Sequence, residues 1–479
     1  MTTLSLTSIS LITALAGVAN AQPEVAETTG DTEPVPAATE PPAAVDPPVA
    51  PPAVAATPPT FDPATIDALV DARLEARLAS QPQTAGYKDG FFLQTGDGAT
   101  KLKIGGFTQF DGRFFVADTD DPHIDQFGFR SIRPDLQGTV FDHFDFRLLP
   151  DFAGGRVTLQ DVYLDVRYSE LFKVRFGKFK VPFGLERLQG ETATTFVERG
   201  LPTLLTPNRD LGVQAFGELA KGLVAYQVGV FNGVADGASG DADVSDDKEL
   251  AARVFVKPFA TSENALVQQL GIGGAVTYGD KTGTLASPDV PSLRTQGQTQ
   301  FFGYRAGTTV METVIADGRQ VRGTGQASWY GGPVGLLAEY VRSSQQVRLD
   351  ARQGKIRADA WQVLAQWVIT GEAASFKSVV PERAFDPSKG QWGAVDIAAR
   401  VGGLRIIDDR VFDSNLADPA KSAQRAVSAG GGLDWFPNKN FRFALDLEHT
   451  RFEGGAASDD SVIDRPAETS IVGRVQTVF

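Results

Sequence analysis

Cysteine is absent from all 479 residues, methionine occurs twice and histidine three times. Without cysteine there is no disulfide framework, and the chain can cross an oxidising compartment without mispairing. His123, His143 and His449 stand far apart, and neither a G-x-S-x-G nor an HExxH pattern occurs. A Ser-His-Asp triad needs histidine as its usual base, so hydrolase chemistry has no support, and no cofactor or metal is implied. After the first twenty residues no apolar run approaches the ~18 to 20 residues of a membrane-spanning helix. A membrane protein with this sequence must therefore cross by strands. No portion carries the basic excess of a nucleic-acid binder.

Charge of one sign is also missing locally. The formal net charge is −14, and residues 1–100 contain twelve acids against three bases, Arg73, Arg77 and Lys88. Residues 22–60 have eleven prolines, six acids and no base, which predicts a disordered Pro/Ala linker of polyproline II character. At ~3.1 Å per residue it reaches roughly 120 Å when extended, enough to approach the cell wall. Before it, residues 1–21 read as a signal peptide. Leu4 to Ala19 is apolar apart from Ser and Thr, and Ala19-Asn20-Ala21 is a small-residue cleavage site, although no Lys or Arg precedes the apolar stretch. Residues 61–81 predict a helix, with Asp62 as N-cap, Pro63 at the first position and Ile66, Leu69, Val70, Leu74 and Leu78 at helical spacing. A single narrow apolar seam is marginal alone and predicts a short trimeric coiled coil between subunits. Packing onto the following domain is the competing reading.

From residue 90 to 479 the texture is alternation of period two. Phe441, Phe443, Leu445 and Leu447 alternate with Arg442, Ala444, Asp446 and Glu448, and Val162, Leu164, Val166 and Tyr168 alternate with Asp161, Tyr163, Asp165 and Arg167. Sixteen or seventeen such strands are predicted, among them 101–115, 126–139, 249–258, 319–330, 356–370, 391–406 and 422–436. One face is apolar and aromatic while the other repeatedly carries full charges of both signs. That is the pattern of an all-β transmembrane antiparallel barrel with lipid outside and water inside. Connections are short at 169–172, 330–333 and 437–440 and long at 233–248 and 279–318, and the last strand ends in Phe479.

Several passages in this order resemble the phosphate-selective porins O and P: FFLQTGDGATKLKIGG (91–106), FRSIRPDLQG (129–138), LQDVYLDVRYSELFKVRFGKFKVPFG (159–184), GLLAEYV (335–341), VITGE (368–372), GQWGAVDIAAR (390–400) and GLDWFPNKNFR (432–442). The resemblance implies a sixteen-stranded homotrimeric barrel in the outer membrane. It also implies passive diffusion of small anions, phosphate or polyphosphate, past pore-lining Arg and Lys, and a loop folded inward over residues 181–209. On or beside that loop are Lys178, Lys180, Arg187, Arg199 and Arg209. Alternation puts Arg113, Arg147, Arg167 and Arg175 on the polar face of the strands, with Lys101, Lys103, Lys173, Arg442 and Arg474. Arg442 and Arg474 are expected far along the wall from the loop. Arg130 and Arg133 are three apart, so a regular strand points only one of them inward.

Against direct anion binding stands simple pairing, of the loop cations with Glu186, Glu191 and Glu198, and of the wall cations with Asp111, Asp145, Asp165 and Asp446. The acids Asp236, Asp241, Asp243, Asp246 and Asp247 would repel anions at the mouth of a general or cation-tolerant porin. A structural outer-membrane anchor is the third reading.

Overall fold

The computed structural model describes residues 62–79, 84–116, 123–243, 245–408, 410–459 and 461–479. The signal-peptide and linker readings lie outside them. Pro63–Ala79 is a helix of 17 residues. Its first turn rests on Asp62, whose carboxylate accepts from Ala64 N at 3.4 Å, and Ile66, Leu69 and Val70 on its surface are exposed. No described helix is long and apolar enough to cross a membrane.

Alternation becomes a closed wall. β1 (Lys101–Phe115), β2 (Gln126–Val140), β3 (Phe144–Asp151), β4 (Thr158–Ser169) and β5 (Phe172–Lys180) precede the segment 181–208. β6 (Arg209–Leu219), β7 (Val224–Phe231), β8 (Glu249–Val256) and β9 (Gly271–Thr282) follow. β10 (Ile315–Gly331), β11 (Val334–Leu349), β12 (Arg352–Val368), β13 (Ala394–Ile406), β14 (Ala423–Asn438), β15 (Phe441–Ser458) and β16 (Glu468–Val478) complete the set. Among the described residues these sixteen strands run antiparallel to their neighbours, and β16 closes on β1 from Ser470↔Phe115 to Val478↔Phe107. Closure satisfies every edge, as a spanning sheet in hydrocarbon requires.

The wall faces two solvents. Along β15, Phe441, Phe443, Leu445 and Leu447 are exposed on the outside, while Arg442, Ala444, Asp446 and Glu448 are buried inside. On β12, Trp361, Val363 and Trp367 point out and Gln362, Leu364 and Gln366 point in. Outward apolar and inward polar residues are what lipid and a polar lumen demand of one strand.

Connections are short at one end of the barrel (141–143, 170–171, 332–333, 439–440) and long at the other (181–208, 232–248, 283–314). Three depart from the expected division. Residues 350–351 form a tight hairpin at the loop end, and residues 257–270 and 369–393 form long segments at the turn end. The loop end of the lumen is partly filled. Leu201 and Leu205, with Leu293, Phe301, Phe302 and Val314 of segment 283–314, pack as one apolar cluster with inward residues of the tall wall such as Val341, Val347, Ile356 and Leu404.

The β1–β2 register passes from Gln109↔Ser131 to Phe110↔Phe129, leaving Arg130 as an extra residue. This bulge shifts the alternation, so Arg130 and Arg133 both reach luminal carboxylates despite their spacing.

Candidate functional site

Residues 181–208 are too long for a turn, and Pro182, Pro202 and Pro207 prevent a regular continuation of β5. Gly184 turns the chain inward at φ 80°, where a Cβ would sit 3.0 Å from both Arg187 Cβ and Thr206 Cγ2. Only glycine adopts this conformation readily. Two short helical turns follow, Leu185–Leu188 and Leu201–Leu205.

The segment is fastened to both sides of the barrel. On β11, Glu339 accepts from Leu185 N at 2.6 Å, and on β15, Asp446 accepts from Val197 N at 2.5 Å. Arg442 donates to the carbonyls of Thr194 (2.5 Å) and Thr195 (2.6 Å) and forms a bidentate pair with Asp434. Arg400 donates to Glu198 O at 2.9 Å. Gly200 lies so close to Gln362 that any side chain would collide with its amide. Two strands beyond β15, on β1, Gln109 Nε2 reaches Glu191 O (3.2 Å) and Arg113 reaches Glu198 (3.2 Å), while the segment's own ends root in β5 and β6 across the barrel. The loop therefore spans the lumen.

Its cations converge on one carboxylate. Glu191 lies 2.9 Å from Arg199, 3.5 Å from Arg209, 3.7 Å from Lys180 and 3.8 Å from Arg133. Burial alone would raise its carboxyl, but Arg199, Lys180, Arg209 and Arg133 hold it well below the usual carboxylate range. Arg187 donates to neutral oxygens, Thr206 Oγ1 at 3.1 Å and Thr203 O at 2.6 Å, and forms no ion pair among the described residues. Burial, reinforced by Arg199, pushes its guanidinium below the usual value. Nearby, Arg209 Nε meets Asp161 at 2.8 Å, and Arg147 is shared between Asp135 (2.8 Å) and Asp161 (3.1 Å). Arg133 also holds Asp151 at 2.8 Å. Five cations (Arg133, Arg147, Lys180, Arg199 and Arg209) thus share four carboxylates (Asp135, Asp151, Asp161 and Glu191), with Arg187 beside them on neutral oxygens.

Other candidates lie elsewhere. Arg113 and Arg130 share Glu198 at 3.2 and 3.3 Å. Burial would raise the Glu198 carboxyl, and Arg130, Arg474 and Arg113 lower it instead. Lys178 pairs with Asp241 rather than joining Glu191. Arg167 pairs with Asp145 at 2.9 Å, and Arg175 pairs with Asp165 at 2.7 Å while its guanidinium lies 3.7 Å from the Tyr163 ring centre. The expected remoteness of Arg442 and Arg474 is corrected. Arg442 holds the loop directly, and Arg474 makes a bidentate pair with Asp111 while its charge reaches Glu198. The acidic mouth is largely neutralised too, with Asp236 on Arg322 at 2.6 Å and Asp243 on Lys248 at 2.7 Å.

Below the loop, toward the turn end, is a cavity of about 780 Å³ lined by Lys180, Glu191, Arg209, Arg147, Arg175 and Lys103. Lys377 and Ser378 of segment 369–393 also line it, and Phe376 O accepts from Gln189 Nε2 at 2.9 Å. Lys377 and Arg400 were not singled out from the sequence. For Arg400 the inward phase of strand 391–406 is a usable signal, but nothing local marks Lys377.

A closed barrel of this exterior, crossed inside by a charged loop, has the architecture of an outer-membrane porin. Residues 101–479 match the family described as phosphate-selective porin O and P, and the chain belongs to that family. It is similar in fold to the outer membrane channel DcaP of Acinetobacter baumannii, with 11% identity over 81% of this chain and 99% of that one and a TM-score of 0.51. It is likewise similar to a loop-deletion mutant of OmpT, an outer membrane protein of Vibrio cholerae, with 11% identity over 80% and 100% of the two chains and a TM-score of 0.50. No curated protein matches the sequence.

Proposed function

We propose that the channel passes small inorganic anions, phosphate among them, and that its selective point is the cation cluster on the inward loop. The observation that carries this reading is the imbalance at Glu191, where one carboxylate faces Arg133, Lys180, Arg199 and Arg209, with Arg187 beside them lacking an acidic partner. An anion leaving water needs its hydration replaced, and guanidinium forks and an ammonium in a confined lumen supply the donors. Reversal potentials across a potassium chloride gradient test this, and anion preference is the expected sign.

A second reading, a weakly selective general porin, draws on the wall. Arg113, Arg147, Arg167 and Arg175 each have a carboxylate partner, so the cations of the wall are close to balanced. A reversal potential near zero favours it, and an ion-impermeable barrel favours a structural anchor. The export reading predicts cleavage after Ala21, so that sequencing of the mature protein begins at Gln22. Homotrimer formation is supported by the exposed apolar residues of Pro63–Ala79. The reach estimated for residues 22–60 supports proximity to the cell wall.

A further inference from the structure

Toward the loop end of the tall wall, the outward face changes from apolar to charged. Across five neighbouring strands, Arg342 of β11, Asp359 of β12, Arg405 of β13, Arg425 of β14 and Glu453 of β15 are successive Cα partners. Each alternates with buried inward residues, so the whole row faces outward. The next outward level toward the turn end is Tyr340, Trp361, Gly403 and Val427, with Arg451 at the same level on β15, and apolar residues follow below it on β11 to β14. Farther along β14 come Ala429, Gly431 and Leu433, and then Trp435. Ten residues at ~3.3 Å, tilted by ~40°, separate Arg425 from Trp435 by roughly 25 Å along the barrel axis, the height of a lipid-facing apolar band. The charged row therefore lies at the loop-end edge of that band, at the level of the outer-leaflet headgroups.

The row is short of negative charge. Arg405 and Arg425 stand directly opposite one another, an arrangement that destabilises a sheet when both are cationic. Asp359 is shared among Arg342 (3.4 Å), Arg405 (3.6 Å) and the Tyr340 hydroxyl (3.2 Å), while Glu453 takes Arg425 at 2.7 Å. Between them runs a groove of about 250 Å³, bordered by Tyr340, Asp359, Trp361, Gly403, Arg405 and Arg425. It exists because residue 403 is glycine. A Cβ there would stand 3.0 Å from the Trp361 indole nitrogen and crowd the ring into the groove.

We propose that this groove binds a phosphate group on the headgroup of an outer-leaflet glycolipid. Two guanidiniums provide forked donors matched to phosphate, and the anion relieves their mutual repulsion. Aromatic rings and the apolar strand surface toward mid-membrane receive the start of the acyl chains. The bound lipid fixes the barrel's level in the membrane on this side, independently of what passes through the lumen. A second copy of the chain would need an acidic surface to satisfy the same row, whereas a phosphorylated lipid brings the charge with it.

The test uses the full chain purified in detergent and native mass spectrometry with diphosphorylated lipid A, its dephosphorylated form, or inorganic phosphate. Wild type should retain diphosphorylated lipid A and not the dephosphorylated form, and inorganic phosphate should not displace it. Arg405→Ser with Arg425→Ser removes the donors, while Gly403→Val fills the groove and leaves the charges. Both variants should lose the bound lipid while keeping wild-type chloride conductance, which certifies a folded barrel. Undiminished retention in both variants, or equal retention of the dephosphorylated lipid, overturns the proposal. So does a change of oligomeric state with lipid retention intact, which assigns the surface to a subunit contact. Displacement by inorganic phosphate overturns the commitment to a lipid.

Discussion

Arg199 Nη1 lies 2.9 Å from Glu191 Oε2, while the same guanidinium donates to the carbonyls of Glu186 (3.1 Å) and Gln189 (3.0 Å). One side chain thus folds the inward loop on itself and orients its acid. The other Glu191 oxygen faces Lys180, Arg209 and Arg133. Glu191 acts as the counter-ion that lets four cations occupy one small space, and it leaves them in excess.

Glu191→Gln should therefore increase anion preference and lower stability together. The cations lose their shared partner, and breaking a buried ion pair costs about 3–5 kcal/mol. Reversal potentials and the thermal unfolding of the purified barrel check the two effects. A fall in anion preference contradicts the assigned role.

The pH response follows from the same contacts. Neighbouring cations place the Glu191 carboxyl well below its ordinary value of 4.5. Its contribution to stability is then fully present above 4.5 and is lost as pH falls through the lower folded-state value. The part of the reversal potential that depends on Glu191, read as the difference between wild type and Glu191→Gln, should stay constant from neutral pH down through 4.5 and shrink only at more acidic pH.

Arg442→Ala should loosen the loop rather than remove an anion site. Two loop carbonyls and Asp434 lose their donor, again at a cost of about 3–5 kcal/mol for the abandoned buried acid. Open-channel noise and proteolysis within 181–208 should rise. Arg167→Ala, whose half-exposed pair with Asp145 makes no contact with the loop, should change neither.

Much of the barrel is legible in the sequence because lipid and lumen impose opposite demands on adjacent residues, as from Phe441 to Glu448. Legibility fades where the membrane ends. Residues 342–355 continue β11 and β12 beyond the apolar band, where the outward face is polar and the inward face mixes Ser343 and Gln345 with Val347 and Leu349, so strand 356–370 is read several residues too short at its start. The bulge at Arg130 is invisible for a different reason, since it is a property of the β1–β2 pairing and not of β2 alone. The loop cations Lys180, Arg187, Arg199 and Arg209 are identifiable by position. Which acid gathers them is not, because Asp161, Arg133 and Glu191 meet only across strands. The inward course of 369–393 has no local signature either.

The N-terminal helix is testable apart from the pore. Leu74→Asp with Leu78→Asp places charge on the apolar seam that helical spacing predicts for residues 61–81, which burial in a coiled coil would not tolerate. Crosslinking should show fewer or heat-labile trimers while conductance persists. Unchanged trimers assign the helix another task.

The central claim is that Arg187 and its neighbours form an anion site at the loop. The most direct measurement is phosphate block of single-channel chloride current in wild type, in Arg187→Ala, and in the combined Lys180, Arg187, Arg199 and Arg209 alanine variant. Arg187 has no acid to orphan, so its removal should weaken block about ten-fold, the equivalent of one charge-assisted hydrogen bond of about 1.5 kcal/mol, with little loss of stability. The combined variant should lose block and move toward cation preference. Phosphate block that persists unchanged in both would contradict the account and leave only the barrel.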